Sequence, residues 1–192
     1  MTNEETSRLE RNDFDIDTIV QKLEKTASVK EKALFREAIE KMKEGSTLYE
    51  SLRLTPDMLE VIYQHGYQLF QSGKYKEALS TFRILQTLHP EDKRYPFAIA
   101  AALHFEKNYV EAAAYYMIYA SMDRTDPIPF YHLYDCFLKE KHPTIAENAL
   151  DEAYRLAKGN PKYHDLKEKI ELELKHIESK DSEIKIHKEI KG

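Results

Sequence analysis

Apolar residues recur at spacings of three and four along most of this chain, and clusters of Gly, Pro, Asn and Asp separate the apolar blocks. This period is typical of amphipathic α-helices that bury one face. A capping side chain followed by proline, as at Asp126-Pro127 and Asn160-Pro161, marks several helix starts. The pattern predicts helices over residues 28–44, 56–72, 75–88, 93–107, 109–122, 127–140, 143–158 and 161–178. No segment has a convincing strand pattern, so the predicted fold class is all-α.

The N-terminal segment, residues 1–54, follows a separate pattern. Residues 1–12 are polar and predicted to lack regular structure, and a short helix is predicted from Phe14, Ile16, Ile19, Val20 and Leu23. Ser28 and Glu31 predict a capping box at the start of helix 28–44. Its apolar stripe comprises Leu34, Phe35, Ala38, Ile39 and Met42. This stripe belongs to no later pattern, so it packs either on the rest of the chain or on a second copy in a dimer.

A repeat of 34 residues organises the middle of the chain. Ala78, Ala112 and Ala146 are spaced by this period, and each is followed four residues later by a larger apolar residue. Such a period, with small and large apolar residues at fixed positions, is typical of tetratricopeptide repeats. These repeats stack helix pairs into a solenoid whose concave face binds peptides. We therefore predict three repeats over 55–158, a capping helix over 159–178 and a charged tail over 179–192.

The repeat frame also predicts which side chains line the concave groove. On the first repeat helix, Ile62, Gly66 and Leu69 fall on the core side. The predicted groove residues are Tyr63, Tyr67 and Phe70 from the first repeat, Phe97, Ala101 and His104 from the second, and Tyr131, Asp135 and Leu138 from the third. Tyr75, Tyr109, Phe82 and Tyr116 hold frame positions that predict core packing instead. Amphipathic rings suit a hydrated peptide-binding surface because they give a large contact area with few torsions to immobilise.

Composition narrows the class of function. The formal net charge is −5, which gives no electrostatic basis for binding nucleic acid. The first residues lack the basic and apolar regions of a secretory signal, and no apolar run is long enough to span a bilayer. These features predict a cytoplasmic protein that does not insert into membranes.

Candidate chemistry is sparse. The five glycines form no phosphate-binding loop. His132 and Cys136 are four residues apart on one predicted helix, but a structural zinc site would need two further ligands at fitting spacing. Ordinary packing is the preferred interpretation for both residues, and Cys136 is not favoured as a nucleophile. The sequence thus predicts no enzyme, no cofactor and no metal.

The residues of the repeat region resemble those of the class II chaperones of type III secretion systems, which serve the pore-forming translocators. The resemblance begins at Gly45-Ser46-Thr47-Leu48 and covers roughly residues 40–175. Its first half is carried by Leu59-Glu60-Val61-Ile62-Tyr63, Tyr67, Gln71-Ser72-Gly73-Lys74-Tyr75, Ala78, Phe82, Leu85 and Leu88. Its second half is carried by Asp92-Lys93-Arg94-Tyr95, Tyr109, Ala112, Tyr116, Met122-Asp123, Pro127, His132, Cys136-Phe137-Leu138, Ala146 and Leu150.

The resemblance implies a bacterial cytoplasmic chaperone without enzymatic activity. Its groove would take an extended Pro-x-Leu-x-x-Pro-type segment of a hydrophobic translocator before export, and the secretion apparatus would receive the client. The implied groove contacts are Tyr63, Tyr67, Phe70, Arg94, Phe97, Ala101, His104 and Tyr131. A homodimer is also implied, through the segment 28–44 or through residues near Ile84 and Leu88. The alternative function is a tetratricopeptide scaffold that joins protein partners without a role in secretion.

Two departures from the family pattern stand out. The stretch 98–102 reads Ala-Ile-Ala-Ala-Ala, where family members often carry glycines and a cysteine. A more regular helix and a different groove floor are therefore expected. The N-terminal segment is also longer than is usual in the family, which leaves the mode of dimerisation open.

Overall fold

The computed structural model describes residues 28–191, and every regular element within that range is helical. The all-α prediction is confirmed. The helices are α1 Val29–Lys43, α2 Leu48–Ser51, α3 Pro56–Gln71, α4 Tyr75–Leu88, α5 Arg94–Phe105, α6 Tyr109–Met122, α7 Ile128–Lys139, α8 Pro143–Ala157 and α9 His164–Lys191, with a 3₁₀ turn at Pro161–Tyr163. The chain divides into two compact units, Met1–Thr55 and Pro56–Gly192. The irregular segment 1–12 and the short helix predicted from Phe14 to Leu23 lie outside the described residues.

Within the first unit, α1 ends at Gly45, whose φ of 97° lies in the left-handed region that glycine adopts without strain. Segment 46–54 was predicted as a connector, but it contains the short helix α2. The reason is a reciprocal capping box, in which Thr47 accepts from the amide of Glu50 and the Glu50 carboxylate accepts from the amide of Thr47. The side chains of Glu31 and Phe35, which the sequence prediction used, lie outside the described part of the structure.

The repeat helices begin at side chains that satisfy free backbone amides. The carboxylate of Asp92 accepts from the amide of Arg94, Asn108 accepts from Glu111, and Asp126 accepts from Ile128. Each acceptor compensates an amide that has no partner within its own helix. The turns between paired helices share one conformation, because Gly73, Lys107 and Lys141, spaced by 34 residues, all have φ between 62° and 75°.

The helices of each repeat cross at small residues. Ala78, Ala112 and Ala146 are all fully buried, as the repeat frame predicted. Gly66 on α3 allows an equally close approach, since a Cβ at this position would lie only 2.8 Å from a ring carbon of Phe82. The small residues therefore set the distance between paired helices.

The C-terminal helix is longer than expected. Ile170 is fully buried, and Tyr154 donates to the Glu171 carboxylate at 3.1 Å, so the first half of α9 closes the end of the array. The sequence predicted a helix end near residue 178 followed by a frayed charged tail, whereas α9 continues to Lys191. Glu and Lys are good helix formers, and neither Gly nor Pro interrupts the tail before Gly192. Among the described residues, no helix has both the length and the apolar character needed to cross a membrane.

Candidate functional site

Side chains from the first helices of successive repeats, α3, α5 and α7, contact one another along the array. At the first junction, Nη1 of Arg94 on α5 donates to Oε2 of Glu60 on α3 at 2.8 Å. The same guanidinium donates to the Asp92 carboxylate, with Nη2 and Oδ2 2.7 Å apart, and its central carbon lies 4.7 Å from the centre of the Tyr63 ring. Arg94 therefore joins two repeats and covers one of the predicted groove rings.

The contact with Glu60 was missed by the sequence reasoning, although a signal for it exists. Glu60 and Arg94 are 34 residues apart, so they occupy the same position in successive repeats and carry opposite charges. Hydrogen bonds to Asp92 and then to Glu60 raise the pKa of Arg94, and hydrogen bonds from Gln64 and then from Arg94 lower the pKa of Glu60. The pair is largely exposed, so its effect is to orient Arg94 over Tyr63 more than to stabilise the fold.

Tyr63 and Tyr67 differ in exposure although they share one helix. The Tyr63 ring is half-buried, with its centre 5.6 Å from that of Phe82 and 6.0 Å from that of Tyr95. Burial raises the pKa of the Tyr63 hydroxyl. The Tyr67 side chain is 45% exposed, one turn farther along α3. Tyr67 therefore offers a ligand more accessible surface than Tyr63 does.

Phe70 belongs to a different cluster from Tyr63. Its ring makes edge contacts with Tyr75 at 5.4 Å and with Phe105 at 5.3 Å, and Tyr75 stacks on Phe105 at 4.9 Å. In the described part of the chain, no ring contact joins Phe70 to Phe97 or His104, which were expected to face it. Tyr75 was predicted to be a core residue, but it is only half-buried, because it packs on the exposed ring of Phe105. Phe105 itself was missed, and its position in the frame gives no signal for it.

A third cluster lies at the junction of the second and third repeats. Phe97 on α5 approaches Tyr119 at 5.1 Å and His132 at 5.9 Å between ring centres. His132 stacks almost parallel on the buried ring of Tyr116, with 4.9 Å between centres and 8° between planes. Tyr131 makes the next contact along α7, 6.3 Å from His132. Two predicted groove residues, Phe97 and Tyr131, therefore flank the imidazole of His132, for which the sequence analysis preferred ordinary packing over metal binding.

His104 connects the same two repeats through polar contacts. Its Nε2 lies 2.8 Å from Oδ2 of Asp135, and its Nδ1 lies 3.6 Å from Sγ of Cys136. Because a protonated thiol donates to Nδ1, the proton on Nε2 is left to donate to the carboxylate. Lys139 approaches the other oxygen of Asp135 at 4.0 Å. Ala101, half-buried, lies one turn after Phe97 on the same helix and leaves room beside the His104 ring.

Two groups at this junction, His132 and Cys136, have shifted pKa values that keep them neutral at neutral pH. Burial, and next the neighbouring His104, lower the pKa of His132 from 6.5 to about 4. Burial, and next the charge of Asp135, raise the pKa of Cys136 to about 12. The thiol is thus protonated and unreactive at neutral pH. Tyr109, predicted to be a core residue, is half-buried at the edge of the cluster, 5.4 Å from His104.

The arrangement is suited to binding and not to covalent chemistry. Among the side chains that the structure describes, no group of three or more His, Cys, Asp or Glu is arranged to hold a metal ion. His132 and Cys136 do not converge on one point, because the thiol contacts His104 and the imidazole of His132 stacks on Tyr116. What remains is a row of partly exposed rings with a fixed cation at one end and a carboxylate towards the other. Such a surface suits an extended peptide whose apolar side chains pack on the rings and whose backbone groups form a few hydrogen bonds with the polar residues.

Comparison with known proteins first gives one family and one relative in sequence. A family model described as "Tetratricopeptide repeat" matches residues 59–92. The "Low calcium response locus protein H" of Yersinia pseudotuberculosis is 28% identical over 139 residues, which cover 72% of this chain and 83% of that protein.

Two solved structures are also similar. The Yersinia enterocolitica type III secretion chaperone SycD, in complex with a peptide of the translocator YopD, has a TM-score of 0.63 and 28% identity. The match covers 66% of this chain and 97% of that one. A chain of the CopN-Scc3 complex has a TM-score of 0.63 and 30% identity, over 65% of this chain and 74% of that chain.

Proposed function

Because this chain belongs to the class II chaperones of type III secretion systems, which are not enzymes, we propose that it binds an extended segment of a hydrophobic translocator in its concave groove. Binding keeps the translocator soluble and competent for secretion in the bacterial cytoplasm. SycD, which is similar over most of its length, was solved with a peptide of the translocator YopD. The client of this chain is accordingly a translocator, and the secretion apparatus is the partner that later receives it.

The row of rings on the first helices is the observation that supports this function best. Tyr63, Tyr67, Phe97 and Tyr131 come from three successive repeats and are all partly exposed, although none belongs to a surface loop. The proposed contacts are Tyr63, Tyr67, Phe70, Arg94, Phe97, Ala101, His104 and Tyr131. Phe70 contributes from its own cluster with Tyr75 and Phe105, at the end of α3.

A Pro-x-Leu-x-x-Pro segment suits these contacts for an entropic reason. Proline restricts the free segment to extended conformations, so less conformational entropy is lost on binding. The rings of the second junction are also fixed before binding, because Phe97 and His132 pack on the buried rings of Tyr116 and Tyr119. Both partners are thus preorganised, and the leucine of the segment can pack between rings that do not need to move.

Calorimetric titration with a synthetic Pro-x-Leu-x-x-Pro segment tests the proposal. The segment is taken from a translocator that co-purifies with this chain on co-expression. Tyr67→Ala is expected to weaken binding by about 1–3 kcal/mol, the range of an interface hot spot, without a change in melting temperature. Tyr109→Ala is the matched control, since this half-buried tyrosine packs on His104 and its loss lowers stability first. Equal affinity of the parent and Tyr67→Ala would place the client elsewhere.

We also propose that the chain forms a homodimer through the segment 28–44 or through residues near Ile84 and Leu88. Leu34 and Met42 on α1 are each more than 40% exposed, and Ile84 on α4 is 57% exposed. Light scattering at high micromolar concentration tests this, and a monomer mass there would mean that these side chains stay exposed in the free protein. Replacing Leu34 and Met42 by Lys, and separately Ile84 by Lys, distinguishes the two surfaces.

A further inference from the structure

The second helices of the three repeats, α4, α6 and α8, differ on the face that points away from the first helices. On α6 this face carries Val110, Ala114, Met117, Ile118 and Ser121, which we call the α6 stripe. All five residues are exposed, and Val110 and Met117 are more than half exposed. Their spacing places them on one side of the helix over about 17 Å, at 1.5 Å per residue. The stripe contains no charged side chain.

In the other two repeats, nine of the ten equivalent positions are polar or charged, and Ile84 on α4 is the exception. On α4 they are Lys76, Ser80, Arg83, Ile84 and Thr87, and on α8 they are Thr144, Asn148, Asp151, Glu152 and Arg155. Since the repeat frame equates these positions, the apolar stripe is a property of α6 and not of the fold. A helix that is apolar on its outward face as well as its inward face is expected to be covered by a partner.

We propose that the α6 stripe binds one amphipathic helix of the translocator whose extended segment occupies the groove. This inference rests on the proposed function, because the same client would occupy the groove and the stripe at once. Two contacts by one client also strengthen each other, since the first raises the effective concentration of the second.

The size of the stripe favours a single helix over a second copy of this chain. A stable protein dimer buries about 800 Å² on each partner, whereas five side chains of small and medium size, all partly buried already, expose much less. The charged and polar residues of the neighbouring second helices limit its width to about one helix. The ion pair between Arg83 on α4 and Glu111 on α6 marks one such boundary.

Charge and side-chain chemistry also favour a single amphipathic helix as the occupant of the α6 stripe. A lipid surface needs a row of unpaired basic residues at the rim of the apolar face, but Arg83 at this rim is paired with Glu111 and the chain carries a net charge of −5. Met117 lies at the centre of the stripe, and its flexible thioether adapts to the irregular face of a helix. The apolar face of an amphipathic helix is therefore the occupant that fits length, width and charge together.

The first experiment replaces Met117 by Asp and Ile118 by Glu in one variant, which gives α6 the residues that α8 carries at the same positions. Both sites are exposed, so melting and helicity are expected to stay unchanged. Binding of the full-length translocator should weaken about tenfold or more, whereas binding of the isolated Pro-x-Leu-x-x-Pro peptide should not change. The matched control, Asp151→Ala with Glu152→Ala on α8, should leave both affinities as they are.

These readouts separate the two proposals. If the unaltered protein does not bind the isolated peptide, the proposed groove function is wrong. If the Met117 and Ile118 variant binds the full-length translocator as tightly as the unaltered protein does, only the α6 stripe proposal is wrong.

A second experiment does not use the Met117 and Ile118 variant, so it does not depend on whether that variant folds. Ala114→Cys introduces an exposed thiol in the stripe, and Asn148→Cys introduces one at the same frame position of α8. Cys136 is buried and its pKa is raised to about 12, so a maleimide reagent labels the new thiol selectively. Full-length translocator should slow labelling at position 114 at least about tenfold and leave position 148 unaffected, as expected for a fully covered site.

Three results would overturn the proposal. The first is equal labelling rates at positions 114 and 148 in the presence of translocator. The second is slower labelling of position 114 as the concentration of this protein alone rises. The third is slower labelling of position 114 in the presence of phosphatidylglycerol vesicles. The last two would assign the stripe to a second copy or to a lipid surface.

Discussion

The two junctions between repeats are built in the same frame but from different chemistry. The first junction joins α3 and α5 through Arg94, Glu60 and Asp92, an ionic cluster in which Arg94 and Glu60 are partly exposed. The second joins α5 and α7 through His104, Cys136 and the stacked pair of Tyr116 and His132, a cluster of ring and thiol contacts that is mostly buried. The repeat frame therefore fixes which positions come into contact. The residue types at those positions determine how much the contact stabilises the fold and how that stability depends on pH and salt.

The largest expected difference between the junctions comes from loss of a ring. Tyr116 is 1% exposed and supports His132, Phe97 and His104, so Tyr116→Ala should lower the free energy of unfolding by about 3–5 kcal/mol. Tyr63→Ala at the first junction should cost clearly less, because that ring is half-buried. Urea unfolding of both variants measures the difference, and equal costs would mean that the second junction is not the more tightly packed one.

As pH falls, the second junction should lose stability at a higher pH than the first. The pKa of His132 is lowered to about 4 in the folded protein from 6.5, so the unfolded chain takes up the proton first as pH falls. The free energy of unfolding therefore has its full value above pH 6.5, where His132 is neutral in both states. It falls by on the order of 2–3 kcal/mol between pH 6.5 and 4.

The variant His132→Phe keeps a ring on Tyr116 but removes the titration. Its unfolding free energy should therefore change much less between pH 6.5 and 4. Glu60 at the first junction has a lowered pKa, so its ionic contact persists until more acidic pH. A wild-type stability curve that is flat over pH 4–6.5 would contradict the burial of His132.

Overpacking the helix crossings within the first two repeats tests a feature that these repeats share. Ala78 and Ala112 are both fully buried at equivalent positions. Ala78→Leu and Ala112→Leu should each cost about 1–3 kcal/mol, because neither crossing has space for a larger side chain. Similar midpoints of thermal unfolding are expected for the two variants, and an unchanged midpoint for either would show that its crossing is looser than described.

The smallest effect is expected at the exposed ion pair. Glu60→Gln removes the charge that faces Arg94, and exposed pairs contribute about 0–1 kcal/mol. Because Asp92 still holds the guanidinium, stability should hardly change. Peptide binding should weaken slightly if Glu60 helps to keep Arg94 over Tyr63, and titration at high salt should remove the difference between parent and variant.

The parts of the structure that repeat could be predicted from the sequence, and the parts that do not repeat could not. Burial of Ala78, Ala112 and Ala146 followed from their spacing, and the caps at Asp92 and Asp126 followed from local hydrogen-bonding chemistry.

The cluster of Phe70 with Phe105 did not follow from the sequence, because it depends on how far two helices diverge at their ends. The contact of His104 with Cys136 joins residues 32 apart, and the crossing of helices decides which of several neighbours is reached. The full length of α9 was missed because charge was taken as a sign of fraying, although Glu and Lys favour helix.

The close approach at Gly66 has a consequence for how such an array can change. The equivalent residue is Ala100 in the second repeat and Tyr134 in the third, where the hydroxyl of Tyr134 donates to Glu173 on α9. A tyrosine cannot occupy the place of Gly66, where even a Cβ would lie 2.8 Å from the Phe82 ring. The three repeats are thus not interchangeable modules. An engineered chain in which repeats are swapped, or an array lengthened by duplicating one of them, would need a new partner for this position in every copy.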